Sequence, residues 1–334
     1  MFDYSGMVTH KYALVYGVTR YTMATVNGAI PNLSYPDADA SAMVAVLQSN
    51  GYTVSSRWVS GNGHVWTNGT DTSKVIGSLT ATSQDGSMSV GAGPGDIDAP
   101  SKPNILSDIQ ALSGTIGPND VLLIYFSGHG TQDTIAAPTR EYFDPYGAVM
   151  NDGTGSYYDF PAPSVRDDEL GSAFNAINTP RKVLILDTCN SGGFIGNTLE
   201  VDTTPQLYTG GPPLVTPGTL IQAIANYSSM QSSPTGLSPY GAQVLSAAGR
   251  DESSYEYSVL PDGTPLAHGV MTYFLLQGFQ GSQADLNHDG RTTVLEAFAF
   301  VKAGIEKNWN PYYLAANQAF EPHISGGPVD FVLF

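Results

Sequence analysis

Apolar residues arrive in short β-branched and aromatic blocks, separated by stretches in which Ala, Met, Val and Leu recur at helical spacing. This alternation is that of βα units building a mostly parallel sheet. The block YALVYGV predicts a first strand over 12–18, and 37–50 follows as a helix that stops at Gly51, a residue suited to the left-handed backbone of a helix end. Further strands are expected over 52–59, 120–126, 181–187 and 243–247, with helices over 102–113 and 167–178 and helical patterns again over 269–279 and 294–305. DVLLIYF and RKVLILD are apolar almost without a break, so these two strands are expected to be covered on both faces, as central parallel strands are. Two segments, 61–101 and 197–241, are rich in Gly, Ser, Thr, Asn or Pro and read as long loops. No internal repeat or coiled-coil heptad interrupts the order. The expected fold class is α/β.

In open parallel sheets ligands collect at the carboxyl ends of the strands. The strand over 120–126 runs into Ser127-Gly128-His129-Gly130, and the strand over 181–187 ends in Asp187-Thr188-Cys189-Asn190-Ser191-Gly192-Gly193. A His and the one cysteine of the chain thus follow the two most apolar strands, each flanked by glycines that permit tight turns. A thiol with a pKa near ~8.5 is mostly protonated at neutral pH, and an imidazole beside it can take its proton and later hand it to a leaving amine. Taken singly, Cys189 would pass for an apolar filler and His129 for a structural residue; their joint placement points to a nucleophile and its base.

Composition narrows the classes. The chain has 334 residues, enough for one large α/β domain or two smaller ones, and 41% of them are hydrophobic, which excludes a disordered chain. Charged residues make up 13%, against about 25% in an average protein, so the surface must be rich in uncharged polar groups. Thirteen Lys and Arg against thirty Asp and Glu leave a formal charge of −17. Attraction to nucleic acid or to anionic lipid is thereby excluded as a main activity, and a basic ligand or a metal cation becomes the better expectation. A single cysteine permits no internal disulfide. Apolar stretches such as 121–126 are far shorter than the ~18 residues of a membrane helix, and 1–11 holds no signal-peptide core. A soluble chain with no visible address is expected, whether cytoplasmic or secreted after loss of a signal.

The opening strand ALVYGV, the segment Asp39-Ala40-Ser41-Ala42-Met43, YFSGHG, Asp167-Asp168-Glu169-Leu170, LILDTCNSGG and SAAGRDESSYE occur in one order over about 11–279. In these motifs the chain resembles the caspase and metacaspase peptidases, in particular their prokaryotic orthocaspase members; the apoptotic QAC motif is absent and DTCNSGG stands in its place. The resemblance implies a caspase-like three-layer sandwich over 1–334, with a large-subunit-like part over 11–195, a linker over 196–242 and a small-subunit-like part over 243–334. It further implies a cysteine endopeptidase, monomeric and acting on proteins or peptides, in which Cys189 attacks the scissile carbonyl and His129 is general base and acid. The N–H groups of Gly130 and Cys189 would hold the oxyanion, at about 3 kcal/mol per donor. No third triad member is needed, since a backbone carbonyl commonly orients the His in such enzymes. Metacaspase-like enzymes cut after Arg or Lys, and the acidic pocket residues map to Asp39, Ser127 and Asp187, with Asp37 an alternative to Asp39. A pocket for acidic residues walled by Arg250 is the competing specificity, and a catalytically idle, calcium-dependent interaction module is the competing function. Retention of both His129 and Cys189 speaks against the latter.

Residues 285–296 fit the calcium-loop pattern position by position: Asp285, Asn287 and Asp289 at one, three and five, Gly290 at the sharp turn, the Arg291 carbonyl at seven and Glu296 at twelve. Helical patterns on both sides give helix, loop and helix, and Ca²⁺ is the expected cofactor, acting as a structural clamp. A second Ca²⁺ site at Asp167 and Asp168, with Asp152 or Asp159, is implied more weakly, because Gly196 stands where another acid is expected. Finally, no Lys or Arg lies between Asn190 and Gly249. An enzyme that needs a basic residue before the cut cannot process itself there, which leaves Lys74, Lys102, Arg140 or Arg166, of which Lys74, Lys102 and Arg140 are expected in exposed loops.

Overall fold

The computed structural model describes residues 10–21, 31–77, 79–81, 88–90, 93–133, 140–148, 164–189, 191, 242–249, 252–325 and 330–334. The chain begins with β1 (Lys11–Val18), α1 (Pro36–Ser49) and β2 (Tyr52–Val59), then the short strands β3 (His64–Thr67), β4 (Thr70–Val75), β5 (Leu79–Ala81) and β6 (Met88–Val90). Next come α2 (Lys102–Leu112), β7 (Val121–Ser127), β8 (His129–Asp133), β9 (Arg140–Asp144), β10 (Val165–Arg166), α3 (Asp167–Asn175) and β11 (Lys182–Asp187). The last part comprises β12 (Ala242–Ser246), β13 (Glu256–Val259), β14 (Pro265–Gly269), α4 (Val270–Phe279), α5 (Val294–Asn308), α6 (Asn310–Tyr313) and β15 (His323–Ser325).

One eight-stranded sheet, in the order β15-β12-β11-β7-β1-β2-β3-β4, spans the molecule. Its five inner strands, β12 to β2, are mutually parallel, and the edges are antiparallel. Because side chains alternate along a strand, the central strands feed two cores. Val15, Leu123, Tyr125, Val183, Ile185 and Leu245 face one side, where they meet residues of α1, α4 and α5. Leu14, Ile124, Phe126, Leu184, Leu186 and Val244 face the other, with Ile105 and Ile109 of α2 and Leu170 and Phe174 of α3. Helices, sheet and helices make the three layers, and β7 and β11 are buried along their whole length, as their unbroken apolar runs require. Gly51 has φ +82, in keeping with its place after α1.

The segment 61–101 departs from expectation: it is not a plain loop. It contains the β3–β4 hairpin, turned on Asn68 and Gly69 with φ +51 and +75, the pair of left-handed residues that a tight two-residue hairpin demands. Trp66 of β3 lies opposite Trp58 of β2, ring centroids 5.5 Å apart and nearly parallel, and that stack anchors the hairpin to the sheet. The Asn-Gly pair was the available signal, hidden in a polar composition. The segment 197–241 lies outside the described residues. Among the described residues no helix is long and apolar enough to cross a membrane.

Candidate active site

β7 and β11 are parallel neighbours with Ser127 opposite Asp187. His129 stands two residues beyond Ser127 and Cys189 two beyond Asp187, so strand register carries imidazole and thiol to the same edge of the sheet. Gly130 sets the approach: a side chain there would collide with the Cys189 carbonyl oxygen and would come within 2.7 Å of Thr188 Oγ1.

The imidazole is oriented from two sides. His129 Nε2 lies 2.8 Å from the carbonyl oxygen of Pro31. A carbonyl only accepts, so Nε2 carries the proton and Nδ1 of the neutral ring is left as the base. The His129 backbone N–H donates to the Tyr21 hydroxyl at 2.7 Å, and the two rings stack obliquely at 5.2 Å. Burial lowers the His129 pKa, against an opposing pull from the Pro31 carbonyl. The Cys189 thiol donates to the Ser254 carbonyl at 3.7 Å, and burial pushes its pKa up. Both shifts favour a neutral thiol and a neutral imidazole at rest. Pro31, Tyr21 and Ser254 had no signal in the sequence, since each acts from a distant loop and two of them through a backbone oxygen.

Asp39, Ser127 and Asp187 come together beneath the ends of the same strands. Ser127 Oγ donates to Asp39 Oδ2 at 2.8 Å, and the Gly269 N–H reaches both Asp39 oxygens at 3.1 and 3.2 Å. Asp187 Oδ2 accepts from Thr272 N–H at 3.0 Å and Thr272 Oγ1 at 2.7 Å. A Cβ on Gly269 would run into the Asp187 carboxylate, so only glycine lets β14 pass there. Asp37 goes elsewhere, to the Gly61 N–H at 3.2 Å, which leaves Asp39 as the carboxylate beside Ser127. Glu256 joins from β13, accepting from the N–H groups of Ser34 at 2.7 Å and Tyr35 at 2.9 Å.

Asp39 and Asp187 are 1% and 5% exposed, and their burial decides their titration. It raises the Asp39 pKa, and it pushes Asp187 up to about 7, helped by the Asp39 charge. Beside them His268 Nδ1 lies 2.8 Å from Asp39 Oδ1. Arg250, the competing pocket wall, lies outside the described residues. Asp144, which pairs with His129 across β8 and β9, is a further buried carboxyl held near 7 by desolvation and bonded to Ser164 and Thr131.

The loop 285–296 sits between α4, with its short 3-10 extension, and α5. Asp285 receives the N–H groups of Asp289 at 3.1 Å and Gly290 at 2.8 Å, Asn287 Oδ1 that of Asp289 at 2.8 Å, and Asp289 that of Arg291 at 3.0 Å. Gly290 has φ +85 and His288 φ +60, the backbone a sharp turn at this position requires. Glu296, 1% exposed, accepts from Asn287 N–H at 3.3 Å and also caps α5 through Thr293 N–H at 3.0 Å. Carboxylate, amide and carbonyl oxygens are the hard donors that Ca²⁺ takes, so the donor set fits. No three His, Cys, Asp or Glu side chains among the described residues gather into a cluster of their own. An ion would therefore depend on Asn287 and the Arg291 carbonyl as well.

At the second acidic pair, Asp167 opens α3 and Asp168 is bonded to Arg166 Nε at 2.9 Å. Asp152, Asp159 and Gly196 lie outside the described residues.

A family model described as "Caspase domain" matches residues 10–321, and the chain belongs to that family. Its mixed α/β architecture, with the large, mostly parallel sheet between helices, is the caspase-like fold expected from the motifs. Metacaspase-1B of Aspergillus fumigatus is 27% identical over 243 residues, which cover 69% of this chain and 54% of the relative. The chain thus matches about half of that protein's length. Protein GSU0716 from Geobacter sulfurreducens is similar in its crystal structure at a TM-score of 0.49 and 15% identity, over 96% of this chain and 95% of that one.

Proposed function

We propose that the chain is a cysteine endopeptidase that cuts after Arg or Lys, with Cys189 as nucleophile and His129 as general base and acid. The observation that carries this reading is the register of β7 against β11, which pairs Ser127 with Asp187 and so puts the two turns bearing His129 and Cys189 side by side. As Cys189 Sγ attacks the scissile carbonyl carbon, its proton passes to His129 Nδ1. The oxyanion is received by the N–H groups of Gly130 and Cys189. His129 then gives the proton to the leaving amine, the C–N bond breaks and an acyl thioester remains. Water, losing its proton to the same nitrogen, releases the acid and restores the thiol. Since burial disfavours both ions at rest, the proton moves with the attack rather than before it.

Asp39, Ser127 and Asp187 form the pocket for the basic side chain. Two buried carboxylates matched by a single imidazole favour a ligand that brings its own positive charge, and a guanidinium fork or an ammonium does so. Ca²⁺ at 285–296, held by Asp285, Asn287, Asp289, the Arg291 carbonyl and Glu296, would fasten α4 to α5. In doing so it would brace Thr272 of α4 against Asp187. Proteins or peptides are the substrates.

A fluorogenic peptide with Arg before the reporter tests the reading in Ca²⁺ and in EDTA. Wild type hydrolyses it, Cys189→Ala loses at least about 10³-fold and His129→Ala loses a comparable factor, because the two act as a unit. Residual turnover in folded Cys189→Ala would remove the nucleophile from the account. Inactivity of folded wild type in both conditions would favour the interaction module.

A further inference from the structure

We propose that His268 sets the choice between Arg and Lys before the cut, by occupying the oxygen of Asp39 that a guanidinium needs. The inference rests on the basic specificity proposed above. Asp39 Oδ1 accepts from His268 Nδ1 at 2.8 Å and from Gly269 N–H at 3.1 Å; Oδ2 accepts from Ser127 Oγ at 2.8 Å and from Gly269 N–H at 3.2 Å. The one Gly269 N–H is shared between the two oxygens, so three donors already hold Asp39, and His268 takes the Oδ1 side. On Asp187 both hydrogen bonds fall on Oδ2, from Thr272 N–H and Oγ1, and Oδ1 accepts none among the described residues.

The two basic side chains place different demands on such a pocket. An ammonium is a point charge, satisfied by one carboxylate oxygen, and Asp187 Oδ1 offers that without rearrangement. A guanidinium is a planar fork that draws its advantage from two acceptors at once, and the second must come from Asp39 Oδ1. To supply it, His268 must leave. The imidazole lies at the rim, its side chain 21% exposed on a two-stranded hairpin beyond the main sheet, while Asp39 is held by Ser127 and Gly269 whether or not it stays. His268 therefore acts as a specificity-determining residue through Asp39, handicapping Arg and leaving Lys unaffected.

The test compares kcat/KM for two peptides differing only in Arg or Lys before the cut, in wild type, His268→Ala and His268→Gln. In His268→Ala the Arg-to-Lys ratio rises about tenfold, through a lower KM for Arg with kcat little changed. His268→Gln, whose amide can still donate to Asp39, stays near the wild-type ratio. His268→Ser serves in place of the Ala variant should the latter melt early. A ratio that is unchanged or lower in a folded Ala or Ser variant overturns the role of His268 alone. A wild type that cleaves neither peptide overturns this role together with the basic specificity.

Discussion

The same residue types are gathered in two different ways in this molecule. In the loop 285–296 the carboxylates turn back on their own backbone: Asp285 takes the N–H groups of residues four and five positions on, and the whole set lies within twelve residues. In the pocket, Asp39 is held by Ser127, 88 residues away, and by Gly269, 230 away, and Asp187 by Thr272, 85 away. Asp285 and Glu296 of the loop are 7% and 1% exposed, about as buried as Asp39 and Asp187 at 1% and 5%, so the two sets of acids differ in how far along the chain their partners lie. A locally satisfied carboxylate site can be written into a short motif. Acids assembled from distant segments depend on the fold, and burial raises the pKa of Asp39 and Asp187, a desolvation cost that a cationic ligand would offset.

The contrast breaks first at Asp187. Asp187→Asn keeps the shape and removes the charge, so kcat/KM on a basic peptide falls by about 100-fold, roughly 2.7 kcal/mol. Stability moves the opposite way. With its pKa raised to about 7 from an ordinary 3.8, Asp187 binds more protons folded than unfolded between those values, so its contribution is lost as pH rises through that window. The Asn variant therefore melts higher than wild type at pH 8 and alike near pH 4. In wild type, kcat/KM for a basic peptide rises with pH through about 7 as Asp187 ionises, a limb that the Asn variant lacks. A flat wild-type profile, or an Asn variant that is less stable at pH 8, would show that the buried charge is not the pocket's defining cost.

At the loop the expected effect is smaller. Ca²⁺ in large excess over its Kd should raise the melting temperature by a few degrees, by linkage of about 3 to 4 kcal/mol. Asp289→Ala should abolish the rise. It is a better probe than Glu296→Ala, because Glu296 also caps α5 and its loss would lower stability without any metal. Equal melting in Ca²⁺ and EDTA would refute the loop as a calcium site.

The smallest effect concerns self-processing. Incubation with Ca²⁺ should yield no cut between Asn190 and Gly249, where no basic residue occurs. The structure also reorders the remaining candidates. Lys102, Lys74 and Arg140, all read in sequence as exposed loop residues, lie at the start of α2, in β4 and at the start of β9; Lys102 pairs with Glu169 at 2.8 Å and its side chain is 12% exposed, whereas Lys74, paired with Asp98, is 44% exposed. Intact-mass analysis should find Lys74 cut ahead of Lys102, and a dominant cut within 190–249 would contradict the basic specificity.

What was legible in the sequence divides along the same line. The central strands announced themselves through DVLLIYF and KVLILD because burial on both faces leaves no room for polar alternation. His129 and Cys189 were legible since a strand end and a glycine-rich turn are local features. The β13–β14 hairpin and the antiparallel β15 were not, being short and stabilised by the sheet and helices they join rather than by their own pattern. Nor were Tyr21, the Pro31 carbonyl, Thr272 and His268, whose roles exist only once segments up to 229 residues apart have met.

The most direct test of the central claim is a peptide library scanned at the residue before the cut, assayed with wild type and with Cys189→Ala as the blank. Arg and Lys peptides should be hydrolysed by wild type alone and Asp refused, since Asp39 and Asp187 would repel a carboxylate that has also lost its water. A library in which Asp is preferred, or one in which the blank cleaves as wild type does, would contradict it.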